Sequence, residues 1–217
     1  MEVSARTVQQ LRAKTGAGIM DCKKALAEEG GDLERAVDYL RKKGLSAAAK
    51  KAGRAATEGT VGSYIHAGGK IGVLVEINSE TDFVGRNQDF QAFVKDVAMH
   101  VAAASPRYVE RSEVPEAEIA REKEVLRAQI AEEGKPEAMV EKILEGRLGK
   151  FYKEFCLLEQ PFVRQPDKSV EQILAELVAK IGERIVIRRF ARFVLGEGLV
   201  RRSEDFASEV AKAAAGS

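Results

Sequence analysis

The sequence predicts an α+β fold: a small N-terminal three-helix bundle, then a core in which a three-stranded antiparallel sheet is packed by helices. Three observations carry that prediction. Apolar residues recur at helical spacing through the first 43 residues. Ile71, Val73, Val75 and Ile77 alternate strictly after a Gly68-Gly69 pair. Amphipathic helical stretches then precede a β-rich run, IVIRRFARFV, set between glycines. With 217 residues the chain is long enough for a sizeable core, either as one compact domain or with a small satellite.

Ser4 is placed to cap a first helix presenting Val8 and Leu11. A second helix sets Ile19, Cys22 and Leu26 on one side, and Asp32 is placed to cap a third with Leu33, Ala36, Val37 and Leu40 in one stripe. Helices this short are marginal alone, so they are expected to pack together as a domain over 1–43. The run AAAKKAGRAA has little apolar bulk, which predicts a linker, helical or partly flexible, over 44–57.

The core is expected over 58–199 and a helical tail over 200–217. Two β-rich runs meeting at Gly68-Gly69 predict a hairpin. Phe90, Phe93, Val94, Val97, Ala98 and Val101 share one face of a helix from about Asp89 to Ala104. Pro106 and Pro115 bracket a loop, and a heavily charged helix runs to about Glu133. Pro136 opens a helix whose apolar repeat extends from Met139 to Leu158, with Pro161 ending it. Ser169 to Ile181 is another amphipathic helix, and the final strand follows. A sheet of only three strands has a second face and two edges. Tyr64, Leu74 and the Phe190 to Phe193 region leave apolar material there for another chain to cover.

Composition narrows the function. Hydrophobic residues are 45% and charged residues 32%, a balance suited to a soluble globular protein. No apolar run approaches the roughly 18 to 20 residues of a membrane span, and no export signal is recognisable, so a cytoplasmic setting is expected. The 35 basic and 34 acidic residues leave a net charge of +1, which gives generic nucleic-acid binding no support. Cys22 and Cys156 lie too far apart for a CxxC pair and read as free thiols. GAGIMDCKK at 16–24 lacks the second glycine and the Ser or Thr of a phosphate-binding loop, and no metalloprotease, calcium-loop or nucleophile-elbow pattern occurs. No metal, cofactor or bond-making active site is expected, and function should reside in a binding surface.

Three places invite a functional reading. SETDFVGRNQDF at 79–90 puts Phe83 and Val84 between Asp82 and Arg86 in a strand-to-helix loop. Either Asp82 caps a turn while Phe83 tucks into its own core, or Phe83 protrudes into a partner's pocket beside a directed carboxylate. His100 falls at the margin of its helix's apolar stripe, as a half-buried structural residue or an interface contact. Met20, near Lys23 and Lys24, is either exposed or partly buried.

LRAKTGAGIMDCKKAL at 11–26, GKIGVLVEINSETDFVGRNQDF at 69–90, AMHVAA at 98–103, GKPEAMVEKILEGRLGKF at 134–151, EQPFVR at 159–164 and RRFARFVLGEG at 188–198 together resemble the bacterial elongation factor Ts family. These stretches run in order along nearly the whole chain. The resemblance implies a guanine-nucleotide exchange factor that binds the GDP-bound translation GTPase elongation factor Tu and promotes GDP release. It also implies a ubiquitin-associated-like N-terminal bundle and insertion of Thr81, Asp82, Phe83 and Val84 into the GTPase. Ile19, Met20, Lys23 and His100 match positions expected to contact the same partner. Where the family commonly has two methionines, this chain has Ile19 and Met20.

Longer family members carry two related core subdomains, whereas this chain joins features of both in one copy. Pairing of two chains is therefore expected, giving a two-plus-two complex with factor Tu. No stable direct nucleotide binding and no membrane contact are expected. The alternative is an interaction or RNA-binding protein using the basic residues of 41–54 and the arginines from Arg184 to Arg192.

Overall fold

The computed structural model describes residues 3–199; the helical tail expected over 200–217 lies outside them. Three helices open the fold. Helix α1 (Ala5–Thr15) begins where the Ser4 hydroxyl accepts from the Thr7 amide, and stops at Gly16, whose φ of 68° ends the helix in the left-handed region. Helix α2 (Ile19–Glu28) and helix α3 (Leu33–Lys51) follow, the latter capped by the Asp32 carboxylate on the Glu34 and Arg35 amides. Val8, Leu11, Cys22, Ala25, Leu26 and Ala36 form their buried core.

The third helix runs further than its apolar stripe suggested. Residues 44–51 of the expected linker are helix, and this half of α3 lies against helix α8 (Val170–Ile181). Small side chains make that approach close. Gly44 is buried against the Ala175 carbonyl and Ala179, and Ala48 packs on the main core. The lack of apolar bulk thus marks a close helix crossing.

Strands β1 (Glu58–Ile65), β2 (Ile71–Ser79) and β5 (Ile185–Val194) form an antiparallel sheet in the order β1-β2-β5. Helix α5 (Gln88–Ala104) covers its inner face together with α8, burying Val73, Val75, Ile77, Phe90, Phe93, Val97, Val101, Ile185 and Ile187 in one cluster. Gly62 sits where α5 meets the sheet. A Cβ there would come within 2.3 Å of Val94 Cγ1, so only glycine lets the helix seat this deeply.

Two details refine the sequence reading. Register places Tyr64 opposite the inward Val73, and both Tyr64 and Phe190 pack on the core; they do not belong to the uncovered face. That outer face carries Val61, Ile65, Leu74 and Phe193, exposed by 66, 67, 48 and 66%. The apolar repeat after Pro136 is also not one helix. Helix α7 (Glu137–Phe155) ends before a 3-10 turn at Leu157–Glu159, then β3 (Pro161–Phe162) and β4 (Gln165–Ser169) make a separate two-stranded ribbon.

Helix α6 (Glu116–Glu132) pairs with α7 as a hairpin. It has its own small cores, Leu126, Ile130 and Leu144 in one, and Val114, Leu148, Phe151, Tyr152 and Cys156 in the other. A single helical turn, α4 (Asp82–Gly85), joins β2 to α5. No described helix is long and apolar enough to cross a membrane.

Candidate partner-binding surface

The 81–85 turn is built outward from the end of β2. Thr81 is extended, with φ −128° and ψ 158°, and Asp82 to Gly85 then make one helical turn closed by the Arg86 and Asn87 amides on the Phe83 and Val84 carbonyls. Neighbouring residues on a helical turn point about 100° apart. Val84, 5% exposed, joins the main core, and Phe83, 74% exposed, stands in solvent. The alternative in which Phe83 fills its own core therefore fails, because Val84 holds the inward direction.

Asp82 is exposed, and its carboxylate lies 3.7 Å from Arg86, a loose pair with both side chains in water. The base of the turn is tighter. The Thr81 amide and hydroxyl both donate to the Glu183 carboxylate, at 2.9 and 2.8 Å, and the Ser79 hydroxyl donates to the Thr81 carbonyl. Glu80 accepts from the Arg184 amide and the Arg54 guanidinium, which hold its carboxyl below the usual range. Sequence reasoning missed Arg54, Glu80 and Glu183. No local signal could have joined Thr81 to a residue 102 positions away.

On the helical module, Ile19 is 54% and Met20 75% exposed, with Lys23 also exposed. Ile19 was expected in the inward stripe with Cys22 and Leu26. It is the first residue of α2, directly after Gly18, and the stripe is filled instead by Cys22, Ala25 and Leu26. Lys43 reaches from α3 to Asp21 at 2.6 Å, beside this surface.

Of the two readings the sequence left open for His100, the structure shows the structural one, with deeper burial than expected. The residue is only 1% exposed and is no surface contact. Its Nδ1 accepts from the Val163 amide at 3.2 Å, so the proton sits on Nε2 and donates to Gln160 Oε1 at 2.9 Å. Gln160 in turn donates to the Glu154 carbonyl at 2.6 Å, and Phe162 stacks on the imidazole. Burial pushes the His100 pKa below its ordinary value, against the Gln160 hydrogen bond, which raises it. The residue ties α5 to the β3-β4 ribbon as a neutral imidazole.

The arginines of β5 are engaged within the molecule. Arg188 and Arg189 both hold Glu76, at 2.7 and 2.6 Å, next to a bulge in the β2-β5 pairing. They lower its pKa to about 2. Arg192 reaches the Ala102 carbonyl, and the Arg184 side chain reaches the Arg54 carbonyl. A groove of about 910 Å³ between helical module and core is lined by charges of both signs, among them the pairs Asp96–Arg164, Asp89–Lys180 and Glu176–Lys168. Lys14, Arg41 and Lys51 line it as well.

Fold and surface together define an α+β protein with an exposed aromatic, Phe83, on a turn held at its base by Glu183. The family model described as "Elongation factor TS" matches residues 34–197. Proteins named "Elongation factor Ts" from Geobacter sulfurreducens and Geotalea daltonii are 67 and 66% identical over 214 residues, covering 99% of this chain and 99% of each relative. Another from Desulforamulus reducens is 62% identical over 210 residues, with 97% of each chain covered. The chain belongs to the elongation factor Ts family.

Proposed function

We propose that this protein, as a guanine-nucleotide exchange factor of elongation factor Tu, works by driving the Thr81–Val84 turn into the GTPase domain. The observation that carries this reading is the orientation of the turn, with Val84 in the core and Phe83 74% exposed beside the exposed Asp82 carboxylate. Phe83 acts as the wedge. Asp82 perturbs the partner's Mg²⁺ environment, so GDP is held less tightly while no bond in the nucleotide is made or broken. Exchange is reciprocal: a factor that weakens nucleotide binding is itself displaced when nucleotide rebinds.

The helical module over 1–43, ubiquitin-associated-like in its three short helices, serves as a second docking element through Ile19, Met20 and Lys23. His100 supports the core from within. The outer face of the sheet, with Val61, Ile65, Leu74 and Phe193 exposed, pairs with the same face of a second copy and gives a two-plus-two complex in the cytoplasm. No cofactor takes part.

Stopped-flow release of labelled GDP from factor Tu tests the central reading. The expected result is slow release with Phe83→Ala, and full-rate exchange by that folded variant would remove the role given to the turn. Light scattering over a concentration series tests pairing. A free protein that stays monomeric at tens of micromolar, with a one-to-one complex, would remove the two-plus-two arrangement alone.

A further inference from the structure

At the base of the Phe83 turn two carboxylates and two main-chain amides cross. Glu183, in the connection between α8 and β5, takes the Thr81 amide on Oε2 at 2.9 Å and the Thr81 hydroxyl on Oε1 at 2.8 Å. Glu80, one residue before Thr81, takes the amide of Arg184, one residue after Glu183, at 2.5 Å. Each segment thus supplies the acceptor for the other's donor. Arg54 joins from the end of the helical module, 3.3 Å from Glu80, while the Arg184 guanidinium bonds the Arg54 carbonyl.

The location of this clamp separates it from ordinary sheet structure. The ladder between β2 and β5 already ends at Ser79 opposite Ile185, with Ile77 and Ile187 buried behind it. Nothing in strand pairing requires a further crossed pair beyond that point. What the clamp adds is a fixed direction for the residues that follow Thr81. Charge-assisted hydrogen bonds accepted by a half-buried carboxylate are strong enough to hold one backbone conformation. A single carboxylate that takes both the amide and the hydroxyl of one residue fixes its φ and its side-chain rotamer together.

We propose that Glu183 is a positioning residue for nucleotide exchange: by holding the Thr81 amide and hydroxyl at once it sets the direction in which Phe83 leaves the protein. The turn is then ordered before docking, and ordering it draws nothing from the docking energy. This inference rests on the reading of Phe83 as the docking aromatic, and Glu183 acts only through it.

The test is a set of GDP-release measurements with factor Tu and saturating amounts of the full-length wild-type protein, Glu183→Ala, Glu183→Gln, Phe83→Ala and the Glu183→Ala/Phe83→Ala double variant. Misplacement of a docking group by an ångström costs on the order of ten- to a hundredfold, so Glu183→Ala is expected to lower the maximal release rate by roughly tenfold. Glu183→Gln, whose amide oxygen still accepts from the Thr81 amide, recovers most of that loss. In the Phe83→Ala background the alanine at 183 adds less than about twofold, because the residue it would position is gone.

Hydrogen exchange provides the check on folding. The Thr81 amide should lose protection in Glu183→Ala, while Val73 and Val75 in the sheet keep theirs. Should Glu183→Ala fail to fold, Thr81→Val removes only the hydroxyl donor and is read in its place, with a wild-type rate there overturning the proposal. Slow Phe83→Ala with wild-type Glu183→Ala overturns the clamp alone. Fully additive losses in the double variant overturn it as well. Wild-type rates in Phe83→Ala overturn the docking reading itself.

Discussion

Phe83 and His100 occupy places opposite to those their side chains would choose by polarity. The apolar ring is 74% exposed at one end of the connection into α5, and the imidazole, further along the same helix, is 1% exposed. Each exception has a local cause. Phe83 is outside because Val84 holds the inward position on a one-turn helix. His100 is inside because Gln160 and the Val163 amide satisfy both ring nitrogens. On the proposed reading, the exposed aromatic is surface kept for a partner. A buried, fully bonded histidine holds two elements together. Substitution at the first should spare stability and damage exchange, and at the second the order should reverse.

The largest effect should separate two adjacent residues. Loss of a central aromatic at a docking site typically costs about 2 kcal/mol or more, so Phe83→Ala should slow GDP release by roughly thirtyfold or more. Its unfolding midpoint should hardly move, since exposed substitutions usually stay within about 0.5 kcal/mol. Val84→Ala removes buried methyl groups and should lower stability by about 1 to 2.5 kcal/mol while leaving a smaller exchange defect. Denaturant titration beside stopped-flow release checks both. Equal exchange losses in the two would mean that the turn docks as a unit and that Phe83 has no separate role.

His100→Leu keeps the apolar volume but leaves the Val163 amide and Gln160 carbonyl without their partner. Each stranded buried group costs about 1 to 3 kcal/mol, so a loss of about 2 to 6 kcal/mol is expected, read as a shifted urea midpoint. At temperatures where the variant remains folded, its maximal exchange rate should stay near that of the wild type. A rate loss larger than the Phe83→Ala effect, with stability intact, would return His100 to the docking surface.

The features that local periodicity encodes were legible in the sequence. Alternation from Ile71 to Ile77 gave the hairpin, and the stripe from Phe90 to Val101 gave α5. Gly68 and Gly69, both at positive φ, closed the turn between strands. Features set by tertiary packing were not. Whether Phe83 or Val84 turned inward depended on a single helical turn between strand and helix. The inward facing of Tyr64 and Phe190 depended on strand register, which alternation within one strand does not fix.

The ribbon of β3 and β4 was too short to show a period, and the stretch between Pro161 and Ser169 carried no assigned element. His100 was left open between a structural and an interface role. Its place at the margin of the stripe suited burial or exposure equally, and Gln160, the residue that decided the matter, is 60 positions away.

A smaller effect should distinguish the helical module from the turn. Ile19 and Met20 are exposed on α2, while Cys22, Ala25 and Leu26 of the same helix are held in the core. Met20→Ser should weaken association with factor Tu by roughly five- to tenfold, as expected for one peripheral apolar contact of about 1 kcal/mol. The maximal release rate at saturation should be unchanged, since this surface contributes docking and not the wedge. Calorimetric affinity equal to wild type would remove the module from the interface.

The smallest effect concerns acid. Burial depresses the folded-state pKa of His100 below its ordinary 6.5. In the unfolded chain the imidazole takes up a proton near its ordinary pKa, whereas in the fold Nδ1 is already accepting from the Val163 amide and resists one. Between those two pKa values the unfolded state therefore binds more protons, and stability falls as pH falls. The contribution is fully present above about pH 6.5 and is lost on acidification through the depressed folded-state value.

Carboxylates add a second acid-sensitive region. Glu76, lowered to about 2 by Arg188 and Arg189, begins to lose its contribution only as pH falls to about 5, toward the ordinary carboxylate value of the unfolded chain, so it leaves the window just under pH 6.5 to the histidine. Urea midpoints measured from pH 7.5 to 5 should show a downward slope beginning near pH 6.5, and His100→Gln should flatten it. The variant's midpoint should already be lower at neutral pH, so the slope and not the midpoint carries the test. An unchanged slope would mean that another group sets the pH dependence, and that the imidazole at position 100 keeps its proton equilibrium on folding.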